Sequence, residues 1–437
     1  MQPLNKPNSL KRVAMATMIG TAIEYFDNYI YTMAAVLIFN HQFFHAADPL
    51  SGQIAALSTL ALTFIARPLG AILFGHFGDR FGRKNTFVIS LLVMGVSTMV
   101  IGLLPTYDSI GIWATLLLCL CRIGQGIGLG GEWGGAALVA IENAPEGKRG
   151  WYGTFPQLGA PLGLLLANGA FLLITDILGS AAMTDWAWRI PFLSSSILVV
   201  IGLYVRLKLA EAPIFVTALD KPQPKTLPMV EVIITHFKPF FLGMLICIAG
   251  YVLFYIIIAF SQIYAKSAPS QSEAGYAMGL GFSPQIFTAL LMYSAVSLAI
   301  SITISGKCID KIGRRIWLIW TTVAVAIFGL ALPYFLENGT TVSLFWFLII
   351  GMGLIGMGYG PLSSFLPELF PTHVRYTGAS LTYNIAGLFG ASVAAIIALP
   401  LNANYGLKGV GIYLTLNAVL SLIGLWFITE TRDRQLL

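Results

Sequence analysis

The chain has 437 residues, 57% hydrophobic and only 10% charged, with a mean hydropathy of +0.80. An average soluble domain is about a quarter charged and at most half apolar, so this composition excludes a water-soluble globule and calls for lipid as solvent. The formal charge of +6 would suit a nucleic-acid partner, and only its distribution along the chain decides the matter.

A membrane-crossing helix takes about 20 mostly apolar residues. Twelve such stretches follow one another, near 13–39, 53–75, 86–104, 112–140, 152–175, 187–207, 239–265, 283–305, 316–335, 342–366, 378–400 and 409–428. The expected fold is therefore all-α, a polytopic membrane protein of 12 transmembrane helices. The stretch behind the basic start, Met1 to Arg12, is longer than a signal-peptide core and holds two acids, so no cleaved leader is expected. From Lys208 to Lys238 the chain turns polar, with Pro213, Pro222, Pro224 and Pro228 among Lys221, Lys225, Asp220 and Glu231, which reads as a solvated linker. The expected organisation is an N-terminal six-helix bundle over 1–207, a cytoplasmic linker over 208–238, and a C-terminal six-helix bundle over 239–437.

The four cysteines form no C-x-x-C pair and read as reduced packing residues. There is no phosphate-binding GxxxxGK[ST] loop, no metal-ligating cluster in the spans and no Ser-His-Asp set. Neither an enzyme, nor a cofactor, nor a metal is expected. With Met1 placed inside, twenty of the 25 Lys and Arg fall in the inner loops, Arg206 among them. Only Arg189, Lys266 and Lys408 fall outside. This is the positive-inside bias. It puts both termini in the cytoplasm of a bacterial inner membrane and makes the lipid bilayer rather than nucleic acid the partner of the basic residues; separately, a monomer is expected.

Two loops repeat. Gly75-x-x-x-Asp79-Arg80-x-Gly82-Arg83-Lys84, between spans two and three, recurs 231 positions later as Gly306-x-x-x-Asp310-Lys311-x-Gly313-Arg314-Arg315. Glu142-x-x-Pro145-x-x-x-Arg149, after span four, recurs 226 positions later as Glu368-x-x-Pro371-x-x-x-Arg375. Recurrence in the same order points to a duplicated six-helix unit. Basic loops with glycines can simply anchor orientation, but that leaves the acids unexplained. An acid at a helix end can accept from the N-terminus of a neighbouring helix and pair with Arg, forming a latch.

These paired loops resemble the hallmark of the major facilitator superfamily. Glu24-Tyr-Phe-Asp27, Arg67-Pro-Leu-Gly70, Arg122-x-x-Gln125-Gly126, Gly130-Gly-Glu132-Trp-Gly-Gly135, Trp186-x-Trp188-Arg189-Ile-Pro191 and Glu211-Ala-Pro213-x-Phe215 resemble its metabolite:proton symporter branch, which includes shikimate, oxoglutarate, citrate and compatible-solute carriers. One departure is Phe26-Asp27-Asn28, where that branch usually has Tyr-Asp-Phe. The resemblance implies a cytoplasmic gate in which Asp79 with Arg83, and Glu142 with Arg149, tie the two halves together. Gly75 belongs to the same motif, and Asp310, Arg314, Glu368 and Arg375 are its second copy.

Five ionisable groups lie deep in apolar spans: Glu24, Asp27, Arg67, Arg122 and Glu132. At about 2.5–3.5 kcal/mol each at the bilayer centre, they must face a wet cavity or pair with one another as static salt bridges. On span one, Glu24, Asp27, Asn28 and Tyr31 share a helical face; on span four, so do Arg122, Gln125 and Glu132. The second half offers Tyr251, Tyr255 and Gln262 on span seven, and Tyr383 with Asn384 on span eleven. The proton-coupling candidates are Asp27 first, then Glu24 and Glu132. Arg122 is the best partner for that acid or for a substrate carboxylate. Arg67 can play the same part or serve helix packing. Gln125, Tyr31, Tyr255, Gln262, Tyr383 and Asn384 complete the candidate substrate shell. The leading function is proton-coupled symport of a small polar metabolite bearing a carboxylate, an organic acid or zwitterion, by alternating access. Proton-driven export of a small anion or drug, and ligand sensing without translocation, remain as alternatives.

Overall fold

A computed structural model describes residues 9–44, 49–208 and 227–434, and these are helical apart from turns, loops and one isolated bridge between Gln271 and Ala277. Helices α1 (Leu10–Leu37), α2 (Pro49–Phe81), α3 (Arg83–Leu103) and α4 (Ile112–Glu142) come first. α5 runs in two pieces, Arg149–Gln157 and Gly159–Ala182, and α6 is Arg189–Leu207. In the second half, α7 (Phe237–Tyr255) continues through a π turn to Lys266. It is followed by α8 (Pro284–Ile312), α9 (Arg314–Glu337) and α10 (Thr341–Glu368). α11 begins with Arg375–Gly387 and extends through a π turn into the run Val393–Phe427. That run breaks at Gly406, with φ 66° and ψ −172°, and the part beyond the break is α12. Among the described residues, ten runs have the length and apolarity of a membrane span. The run Thr372–Phe427 holds two of the twelve expected helices, and α1, which carries Glu24, Asp27 and Asn28, supplies the remaining one.

Packing follows the duplication. α2 lies along α4, α3 against α4 and α6, and α1 against α5. α8 lies along α10, α9 against α12, and α7 against α11 and α12. The halves meet where α2 touches α11 and where α5 touches α8 and α10. The short turns α2–α3 and α8–α9 are made by Gly82 and Gly313, with φ of 123° and 105°, values that a residue with a Cβ adopts only under strain. We call the side of the molecule bearing these turns the basic face.

The structure corrects the placement of Arg206. Rather than sitting in a loop, it lies in the last turn of α6 with no exposed surface. Its guanidinium pairs with Glu132 of α4, donates to the Phe87 carbonyl at 2.6 Å and stacks 3.6 Å from the Phe87 ring centre. The physical reason is reach: an arginine at a helix end lays its stem along apolar surface and carries its charge well away from its own Cα. Gly20 of α1 leaves the space, since a Cβ there would lie 2.3 Å from the guanidinium. Arg83, Arg314 and Arg375, also expected in loops, are likewise buried.

Most of the expected linker, residues 209–226, lies outside the described residues. Beyond it, Pro228–Thr235 forms a short helix with Val232 buried, and Glu231 lies 2.6 Å from His373 Nε2.

Removing one partner of a buried ion pair leaves an uncompensated charge, at about 3–5 kcal/mol. Arg206→Ala is therefore expected to lower the melting temperature of the detergent-solubilised protein by several degrees. Adding Glu132→Gln should recover most of the loss. Equal melting of the single variant and the parent would show that the pair contributes nothing to stability.

Candidate functional site

On the basic face, each half grips the other by a carboxylate on a helix N-terminus. Asp79, at the end of α2, accepts from the backbone N–H of Tyr376 at 3.1 Å and of Thr377 at 2.9 Å, and from the Thr377 hydroxyl at 2.8 Å. These groups open α11, whose first amides have no partner within the helix and carry the positive end of its dipole. Gly75 lets α11 come this close, because a Cβ there would lie 2.8 Å from the Thr377 Cα. In the second copy, Asp310 accepts from the N–H groups of Gly150 and Trp151, both at 2.8 Å, at the start of α5.

The arginines complete the grip, with one correction to the expected pairing. Glu142 is bound by Arg83 of its own half and by Arg375 of the other half at 3.3 Å, not by Arg149. Arg149 reaches outward to the carbonyl of Arg434 at 2.6 Å. Arg314 bridges Asp310 at 3.4 Å and Glu368 at 3.1 Å. All of these side chains except Arg149 and Asp310 are less than 5% exposed.

Above these contacts lies a cavity between the halves. Of the expected substrate residues, Arg67, Tyr255 and Tyr383 line it. Arg67 is the one charged residue on its wall among the described residues; its guanidinium lies 4.3 Å from the Phe64 ring centre, and its buried Nε has no hydrogen-bond partner. Tyr383 stacks on Trp133 with ring centres 3.9 Å apart. Gln262 lines two smaller clefts toward the opposite face, with Tyr29 and Thr32. Asn384 does not line the cavity; it donates across the halves to the Gly130 carbonyl at 3.0 Å.

The remaining expected residues turn into the first half. Asp27 is 1% exposed and accepts from Thr98 at 2.8 Å and Ser195 at 2.5 Å. Thr98 accepts from Gln125 at 2.7 Å, and Gln125 accepts from Arg122 at 2.6 Å. The Arg122 guanidinium lies 3.5 Å from the Tyr31 ring centre, and the Tyr31 hydroxyl bonds Thr59 at 2.5 Å. Asp27 and Arg122 thus belong to one hydrogen-bonded relay away from the cavity wall. Glu24 is buried with Oε2 unpartnered, and Glu132 is held by Arg206. The shared face of α1 spans about 100° of arc, enough for Asn28 at one edge to line the cavity while Asp27 at the other faces α3 and α6.

Tyr251, offered beside Tyr255 from sequence, also lines the cavity, while sequence reasoning missed its wall residues Tyr25 and Tyr359 and the Trp133 and Gln157 that hydrogen-bond behind them. They make the floor toward the basic face. Tyr25 and Tyr359 bond through their hydroxyls, Gln157 donates to the Tyr359 carbonyl at 2.8 Å, and Trp133 donates to Gln157 at 3.2 Å. The 226-residue repeat is the signal that would have found them. It relates Tyr25 to Tyr251, Trp133 to Tyr359 and Gln157 to Tyr383.

Residues 17–395 match the family described as the Major Facilitator Superfamily. A Haemophilus influenzae protein named for metabolite transport is 87% identical over 435 residues, covering 100% of this chain and 97% of that one. The inner membrane metabolite transport protein YhjE of Escherichia coli is 47% identical, covering 98% and 96%, and the E. coli proline/betaine transporter is 32% identical, covering 98% and 85%. Among solved structures, the proton:xylose symporter XylE bound to 6-bromo-6-deoxy-D-glucose superposes with a TM-score of 0.77 at 15% identity, covering 98% and 97%. A duplicated helical architecture, two cross-gripping loop motifs, and a family match over most of the length lead to one conclusion: this chain belongs to the major facilitator superfamily, as a multi-pass metabolite transporter and not an enzyme.

Proposed function

We propose that the chain is a proton-coupled symporter of a small carboxylate-bearing metabolite, an organic acid or a zwitterion. It would work as a monomer in the bacterial inner membrane, with both termini and the basic face in the cytoplasm. The observation that carries this reading is Arg67. A cation on the wall of a mostly apolar and tyrosine-lined cavity, with no carboxylate among the described residues of that wall, calls for an anion to offset its desolvation. A substrate carboxylate offers two oxygens to the guanidinium fork. The proline/betaine transporter supports this, since proline and betaine both bear a carboxylate.

Asp27 suits the proton. Thr98 lies 2.8 Å from its carboxylate and 3.1 Å from the Met94 carbonyl. With Asp27 ionised, the Thr98 hydroxyl donates to it; with Asp27 protonated, the same hydroxyl accepts from it and turns its own proton to Met94. Both charge states therefore find partners, as a group that must load and unload a proton requires. Arg122, linked through Gln125, lies at the far end of the relay and senses which state is present. In alternating access, the latch on the basic face would part while the opposite face closes over Tyr29, Thr32 and Gln262.

Arg67→Ala is expected to weaken half-saturation of uptake by about 30-fold, the loss of about 2 kcal/mol from a charge-assisted contact. Proteoliposomes given labelled organic acids and zwitterions under an imposed pH gradient measure this, and an unchanged KM across the panel would refute the site. Asp27→Asn is expected to keep substrate exchange across equilibrated vesicles while losing accumulation driven by the pH gradient; surviving accumulation would remove Asp27 from coupling. Asp79→Asn should weaken the latch by about 1–2 kcal/mol and slow uptake with expression unchanged, and uptake at the parent rate would refute the gate.

A further inference from the structure

Nineteen of the 24 residues lining the central cavity come from the second half, so the space does not sit symmetrically between the halves. It passes behind α7 and reaches α9 at Leu318, Thr322 and Val325, with Leu298 of α8 and Ile355 of α10 beside them. All five are less than 10% exposed, so protein and not lipid encloses this recess. It offers no charge, and its hydroxyls are already engaged: Thr321 donates to the Trp317 carbonyl at 3.0 Å and Thr322 to the Leu318 carbonyl at 2.7 Å. Two glycines keep it open. A Cβ on Gly250 of α7 would meet nothing within 4 Å, and one on Gly358 of α10 would meet only Thr321 Cγ2, at 3.6 Å.

We infer that the substrate is a monocarboxylate with an apolar body of several carbons, its head at Arg67 and its body in the recess between α7, α9 and α10. This rests on the reading of Arg67 as the carboxylate site and adds the chemistry of the other end of the molecule. A polyol or a second charge in the recess would lose its water with nothing to replace it. Each methylene buried there raises affinity about fourfold.

Calorimetric titration of the full chain in nanodiscs tests this, with acetate, butanoate, pentanoate and hexanoate as probes and empty nanodiscs subtracted. Affinity is expected to rise about fourfold per methylene, and this slope should flatten in Gly250→Leu and in Gly358→Leu, two substitutions into open space whose folding is checked by melting temperature. Equal affinity along the series, with binding still lost in Arg67→Ala, would overturn the recess and leave the carboxylate site standing. A slope that survives both folded glycine variants would also overturn the recess. Absence of binding by any carboxylate would overturn the site and the recess together.

Discussion

An ion in the hydrocarbon layer costs about 2.5–3.5 kcal/mol at its centre, and the arrangement of charge in this protein follows from how each such cost is met. Glu132 is answered by Arg206, whose stem brings a cation in from the end of α6. Asp27 is answered by hydroxyls from α3 and α6. Asp79 and Asp310 are answered by backbone amides of the opposite half. Arg67 turns to the cavity. Fold, proposed gate and proposed binding site are thus solutions to one electrostatic problem, differing in where the compensating group comes from.

Duplication provided a symmetric frame that chemistry then made unequal. The floor keeps its symmetry, with Tyr25 and Tyr251, and Trp133 and Tyr359, at repeat-related positions. Elsewhere the halves diverge. The repeat places Gly358 at the counterpart of Glu132. In the first half that position holds an ion pair against Arg206. In the second it is a glycine on the wall of the recess, and Arg432, the counterpart of Arg206, lies on the surface, bonded to Asp433 and to the Lys311 carbonyl. The first half became a charge store and the second a container.

Much of this was legible in the sequence, because hydropathy reports depth and the two loop motifs report contacts at fixed places. That Asp79 and Asp310 hold the other half was legible, since an acid recurring among basic residues has no anchoring purpose. Azimuth was far less legible. Arg67 and Arg122 both read as intramembrane arginines, yet one lines the cavity and the other lies beneath Tyr31, a difference set by a rotation about each helix that periodicity alone leaves open. Arg206 was misplaced because a residue number locates a Cα, whereas the charge of an arginine sits several ångströms further on. Arg149 and Arg375 occupy equivalent motif positions but only Arg375 meets Glu142, since pairing across a duplicated interface depends on which half the neighbouring acid comes from.

Glu142 is held at once by an arginine of its own half and by one of the other, in a site almost sealed from water. Counterions hardly reach such a cluster while it is shut. Were the halves to separate here, as the proposed gate requires, Arg375 would be stripped of its acid and meet electrolyte, whereas Glu142 would keep Arg83. Dissolved ions would therefore act on one side of that equilibrium alone, stabilising the parted gate and leaving the shut one unaffected. On the proposed gate, the resting balance of the transporter would be tied in this way to the ionic strength of the compartment facing its basic loops.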